Sequence, residues 1–167
     1  MKYLILCLIT SCLATPALAL DVGDKVDASV LEQLKVDPLD ITVIDFFAEW
    51  CESCRKELPL ISAVHTRTNS SSKITSLGVD TSDDASAGAR FQKELRASGG
   101  LTFTTLSDSQ QRLVKAFKPK GYPALYILKD GKVVQAHLGA VPNIDQTLMA
   151  DFEALGANTN QLTDANP

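Results

Sequence analysis

The chain has 167 residues, 16 of them Lys or Arg and 20 Asp or Glu, for a formal net charge of −4. With 45% hydrophobic and 22% charged residues it has the make-up of a soluble globular protein, and its length suits one core of ordinary domain size. The acidity is mild and the basic residues are scattered, with no run or stripe to meet a phosphate backbone, so no nucleic-acid partner is expected.

The first segment stands apart. Lys2 precedes an apolar run from Tyr3 to Ile9, followed by Thr10-Ser11-Cys12 and then Ala17-Leu18-Ala19. A basic start, a short apolar stretch and an Ala-x-Ala site make a secretory signal cleaved after Ala19. The uninterrupted run falls well short of the roughly 20 residues that span a bilayer. The expected organisation is a signal at 1–19, a domain at 20–155 and a disordered tail at 156–167, in an exported protein of the bacterial periplasm. Ile9-Thr10-Ser11-Cys12 also looks like a bacterial lipobox, so a lipid anchor at Cys12 is the second choice. Either way Cys7 leaves with the signal, and Cys51 and Cys54 are the only cysteines after residue 19.

Ile41-Thr42-Val43-Ile44-Asp45-Phe46-Phe47 is a β-branched and aromatic run that reads as a buried strand. A helix pattern follows from about Glu52 to Thr68, with Leu58, Ile61, Ala63, Val64 and His65 able to face inward. Cys51 and Cys54 therefore sit where a strand hands over to a helix N-terminus, where unpaired N–H groups and the helix dipole favour a thiolate on Cys51. A structural disulfide closing so short a loop removes little chain entropy, whereas a close dithiol in an oxidising compartment can exchange two electrons through a mixed disulfide. Zinc would need further ligands, and His65 and His137 stand alone and far apart; no metal and no cofactor beyond the disulfide is expected.

Further along, Lys73–Asp80 reads as a strand and Asp83–Ala97 as a helix with Ala85, Ala89, Phe91 and Leu95 on or near one face. Thr102–Leu106 reads as another strand and Ser109–Phe117 as a helix. Asp130-Gly131 between two apolar runs signals a two-residue hairpin turn. From Gly156 the chain has no apolar periodicity. No internal repeat is present.

Two stretches carry a family resemblance. Val43-Ile44-Asp45-Phe46-Phe47-Ala48-Glu49-Trp50-Cys51-x-x-Cys54 resembles the active-site strand and helix start of thioredoxins, and Gly121-Tyr122-Pro123-Ala124-Leu125-Tyr126-Ile127-Leu128 with its hairpin resembles the segment that carries their cis-proline. The extra helix and strand in the middle, the signal and Arg55-Lys56-Glu57-Leu58-Pro59 are similar to the TlpA/ResA/CcmG group of exported thiol–disulfide reductases. The resemblance implies an α/β thioredoxin fold, a central mixed sheet flanked by helices, over roughly Asp27 to Leu155. It implies a cis Tyr122-Pro123 bond beside the disulfide and a substrate groove of Trp50, Tyr122 and Pro123, although Tyr122 replaces the small residue common before that proline.

The expected roles follow from access and charge. Cys51 is the attacking thiolate at the helix start and Cys54 the more buried resolving thiol. Asp45, a carboxylate inside an apolar strand, is the expected proton acceptor for Cys54, against the plainer reading of a strand-end group reaching solvent. Glu57 resembles the glutamate that tunes the thiols in the ResA-like group; a solvated helix face is the alternative. Phe47 is expected in the core, and His137 is expected as an ordinary strand residue with its imidazole at the surface. Negative charge from Glu49, Glu52, Glu57 and Asp45 disfavours a thiolate and makes the pair a better reductant. The expected function is reduction of disulfides in client proteins, with electrons from a membrane donor and cytochrome c maturation as one setting. An exported oxidase or isomerase, and a non-catalytic binding module, are the competing readings.

Overall fold

The computed structural model describes residues 19–68 and 73–157; the signal, Cys12 and the tail from 158 onward lie outside them. The chain order is α1 (Ala28–Leu34), β1 (Ile41–Phe47), α2 (Glu52–Thr68), β2 (Ile74–Asp80), α3 (Ala85–Ala97), β3 (Thr104–Ser107), α4 (Arg112–Phe117), β4 (Ala124–Lys129), β5 (Lys132–Leu138) and α5 (Ile144–Ala154). The strands form one mixed sheet in the order β3-β2-β1-β4-β5, with β1 parallel to β2 and antiparallel to β4. β1 lies in the middle and is buried along its whole length, which is why its sequence is an apolar run rather than an alternation.

The alternation of β1 still sorts its side chains between two cores. Val43 and Phe47 join Cys54, Leu58, Ile61 and Val64 of α2 and Ile144, Leu148 and Phe152 of α5. Ile44 and Phe46 join Leu34 of α1 and Leu113 and Phe117 of α4 on the other face. Asp45 lies between Val43 and Phe47 in the strand and so points to the α2/α5 face. Each fully buried Leu, Ile or Phe contributes about 1.5–3 kcal/mol by leaving water.

The hairpin turn is at Asp130-Gly131 as the sequence implies, both residues having positive φ (53° and 68°), the conformation of a type I′ turn. Elsewhere the sequence expectations shift. α4 starts at Arg112 rather than Ser109, because the Asp108 carboxylate accepts from the N–H groups of Arg112 (2.8 Å) and Val114 (2.9 Å) and so caps the helix from outside. Ala63 is exposed and Ser62 is buried in its place, its hydroxyl donating to the Gly100 carbonyl at 3.1 Å. Ala85 and Ala89 are exposed too; α3 buries Gly88, Phe91 and Leu95 instead. Helices α1 and α5 were not foreseen, although Ile144, Leu148 and Phe152 follow a four-residue spacing.

The ordered fold reaches past residue 155. Ala157 N–H donates to the Phe152 carbonyl and Gly156 N–H to that of Glu153, with Gly156 at φ +75°; this Schellman closure ends α5 and lays Ala157 on the core. The first two residues of the expected tail therefore belong to the domain.

Candidate active site

β1 ends at Phe47, and three residues carry the chain to Cys51. That short loop is clamped: the Phe47 carbonyl accepts from both the N–H and the hydroxyl of Thr81, each at 2.9 Å, and Glu49 N–H donates to Ser82 Oγ at 3.1 Å. Ser82 is itself held by Asp80, whose Oδ1 accepts from the Ser82 N–H (3.0 Å) and hydroxyl (2.5 Å), while Gln92 Nε2 donates to Oδ2 at 2.6 Å. Beneath Phe47, Gly78 leaves the space the ring needs, since a Cβ there would lie 2.8 Å from Phe47 Cε1. Sequence reasoning missed the Asp80–Ser82 anchor. The Thr81-Ser82 pair just after a strand carried no signal of what it would hold.

Cys51 and Cys54 are joined by a disulfide with an S–S distance of 2.01 Å. Cys54 N–H, in the first turn of α2, donates to Cys51 Sγ at 3.1 Å, and Ser53 Oγ lies 3.6 Å from the same sulfur. An unpaired helix N–H aimed at Cys51 Sγ stabilises negative charge there once the bond opens. Cys51 is less exposed than expected, at 5%, with Cys54 at 0%. Tyr122 packs on the core cluster that contains both cysteines, and its ring meets that of Trp50 edge-on at 5.6 Å. The Tyr122-Pro123 bond is cis. Ala124 pairs with Phe46, so Pro123 stands at the end of the sheet from which the cysteine loop departs.

The sequence profile of the AhpC/TSA family matches residues 15–137. The chain belongs to the AhpC/TSA family. Among curated relatives, the thiol-disulfide oxidoreductase ResA of Bacillus thuringiensis is 26% identical over 115 residues, which is 65% of this chain and 63% of that protein. The chain thus matches somewhat less than two thirds of that relative's length. Solved structures share the thioredoxin-like fold. A Chlorobium tepidum chain assigned as a thiol:disulfide interchange protein DsbE superimposes with a TM-score of 0.68 at 20% identity, covering 81% of this chain and 98% of that one. A secreted disulfide oxidoreductase from Mycobacterium tuberculosis gives 0.56 at 22% identity, covering 66% and 81%.

In this AhpC/TSA-family chain the acids expected around the cysteines separate into two kinds. Asp45 is 1% exposed, and neither carboxylate oxygen has a hydrogen-bond partner among the described residues. It does not reach solvent at a strand end. Burial, and secondarily the charge of Glu57, raise its pKa well above the usual carboxylate range. Glu57 is 6% exposed and not on a solvated face; its Oε1 accepts from Val141 N–H at 2.5 Å. Burial raises its pKa, while the Val141 hydrogen bond and His137 pull it down. Glu52, by contrast, is exposed and paired with Lys56 at 3.3 Å, one helical turn on. Glu49 is half-buried, with Oε2 buried and unpartnered.

Arg55 and the histidines complete the surroundings. Arg55 turns away toward α3, 3.4 Å from Glu94 and over the Phe91 ring at 4.6 Å. His65 packs edge-on against Phe103 at 5.8 Å. His137 is not the surface residue expected of it: its Nε2 lies 2.7 Å from Asp151 Oδ2, and both side chains are mostly buried. Nothing in the local sequence of β5 marked that pairing, because Asp151 comes from α5.

Proposed function

We propose that the protein is an exported thiol–disulfide oxidoreductase that reduces disulfides in client proteins, the Cys51–Cys54 pair cycling between disulfide and dithiol with no other cofactor. The observation that carries this reading is the Cys54 N–H pointed at Cys51 Sγ at the start of α2, on the face of the sheet that also holds Asp45, a buried carboxyl with no partner among the described residues. Cys51 thiolate attacks the client disulfide, one client sulfur leaves as a thiolate, and a mixed disulfide forms. Cys54 then attacks Cys51 Sγ, giving its proton to Asp45, and the second client sulfur leaves with the electron pair of the broken bond. The client disulfide is reduced by two electrons and the protein dithiol is oxidised.

The direction of flow rests on buried charge. Asp45 and Glu57 disfavour a thiolate nearby, which weakens the reduced form and favours electron donation. Glu52 adds little, since Lys56 matches it in water where screening is strong. The exposed Trp50 (62%), with the Tyr122 ring against it and the cis Pro123 whose carbonyl accepts from Gly139 N–H, forms an apolar rim for an extended client segment. Re-reduction in an oxidising compartment calls for a membrane electron donor.

The test is insulin reduction with dithiothreitol, followed by equilibration of the pair with glutathione. A reductase accelerates insulin precipitation and holds its disulfide against glutathione. An equilibrium on the oxidising side of glutathione makes it an oxidase or isomerase, and absence of any exchange leaves a binding module.

A further inference from the structure

Four titratable side chains from four elements meet on the α2/α5 face of the sheet. Asp45 in β1 pairs in register with Leu125 in β4, and Leu125 pairs with His137 in β5, so the three stand in one row across the sheet. Residues in register share a face. Over this row α2 lays Glu57 and α5 lays Asp151, the latter hydrogen-bonded to His137 Nε2. Glu57 is electrostatically coupled to Asp45 on one side and to His137 on the other. Exposure rises along the series, from Asp45 and Glu57 to the His137 and Asp151 side chains at 19% and 12%. The groups are strung out in a line: among the described residues no three His, Cys, Asp or Glu are gathered to hold a metal ion.

We propose that His137, held by Asp151, is the proton port through which the buried acids of the site exchange protons with solvent during each redox cycle. The inference rests on the oxidoreductase reading above. Each closure of the Cys51–Cys54 bond releases the Cys54 proton into a site whose acceptor, Asp45, is 1% exposed and has no hydrogen-bond partner among the described residues. Asp45, which burial holds toward its protonated form, must be cleared of a proton before each closure can begin. Glu57 is the neighbouring carboxyl that can take it, and His137 the neighbouring base that can relieve Glu57. An imidazole accepts on one nitrogen while releasing from the other, and with Nε2 held 2.7 Å from Asp151 Oδ2 the exit runs through that carboxylate, whose side chain is 12% exposed. The proton ends in solvent, and the client thiolate takes one up there, so the balance closes. The groups facing His137 are Asp151 from α5, Glu57 from α2 and, through Leu125, Asp45 from β1. His137 acts through Glu57 and is a positioning residue rather than a catalytic one.

The experiment follows glutathione release as reduced protein closes its disulfide after mixing with oxidised glutathione, over a range of pH. His137→Ala, His137→Gln and Asp151→Asn are compared with the unaltered protein, each checked by thermal melting. The port predicts that both His137 variants close about tenfold more slowly or worse and lose one limb of the pH–rate profile. Their equilibrium constant with glutathione stays within about twofold, since a relay changes rate and not end states. Added imidazole restores the rate of His137→Ala, which a purely structural role does not allow. An unchanged rate and profile in both His137 variants overturns the port, and so does a slower rate that imidazole leaves untouched. If the unaltered protein fails to exchange with glutathione at all, the oxidoreductase reading itself falls and takes the port with it.

Discussion

Val141 N–H donates to Glu57 Oε1 at 2.5 Å, joining α2 to the loop between β5 and α5 across 84 residues of chain. The bond holds a carboxylate one turn beyond Cys54 on the buried side of the helix, where its charge acts through little solvent.

Two glutamates near the cysteines should therefore behave differently. Glu57→Gln is expected to lower the thiol pKa and move the couple toward oxidant character by on the order of 10–30 mV, while Glu52→Gln, exposed and matched by Lys56, leaves both unchanged. Glu57→Ala strands the Val141 N–H and costs about 1–3 kcal/mol of stability. Thiol absorbance against pH and equilibration with glutathione measure the first pair of effects. Equal shifts from both Gln variants would contradict the distinction.

Cys54→Ser should accumulate mixed disulfides with clients through Cys51, and Cys51→Ser should accumulate none. Cys51 is the sulfur at the helix N-terminus with the greater access, and only a released Cys54 thiol resolves the intermediate. Non-reducing gels of extracts expressing each variant read the outcome. Comparable trapping by the two would reverse the assigned roles.

Stability should fall as pH rises. Asp45 and Glu57 both have folded-state pKa values raised chiefly by burial, above unfolded values of about 4. The fold favours their protonated forms, so their contribution is complete below that pH and is lost as pH climbs through the folded-state values. The loss is up to about 1.4 kcal/mol per pH unit for each group. Asp45→Asn removes one of these ionisations, and its Tm at pH 8 is expected several degrees above that of the unaltered protein, with a flatter slope against pH. Parallel slopes in melting curves from pH 5 to 9 would falsify this account.

Gly88→Ala should destabilise, although Gly→Ala inside a helix ordinarily gains about 0.5–1 kcal/mol. A Cβ at Gly88 runs into the Asp80 carboxylate and lies 3.0 Å from Ser82 Cβ, the two residues that anchor the loop before Cys51. A loss of about 1–3 kcal/mol is expected, with slower disulfide exchange. Denaturant melts give the sign, and a gain in stability would remove the case for a rigid anchor.

The sequence by itself determined the parts whose signals are local. β1 is legible from its continuous β-branched and aromatic residues, α2 from helical spacing, the hairpin from Asp130-Gly131, and the redox centre from Cys51 and Cys54 at a strand-to-helix junction. Each depends on residues a few positions apart, where propensity and periodicity act directly. Only the tertiary structure decided what each polar group near the site would meet. Glu57 could have faced water on the evidence of α2 alone, His137 had no visible partner in β5, and Asp80 and Ser82 gave no sign of holding the cysteine loop. Apolar periodicity says which face of an element is buried, not which distant carboxylate, amide or imidazole is buried against it. Those partners were chosen when α2 and α5 packed side by side on one face of the sheet, bringing Asp45, Glu57, His137 and Asp151 together from four separate stretches of chain.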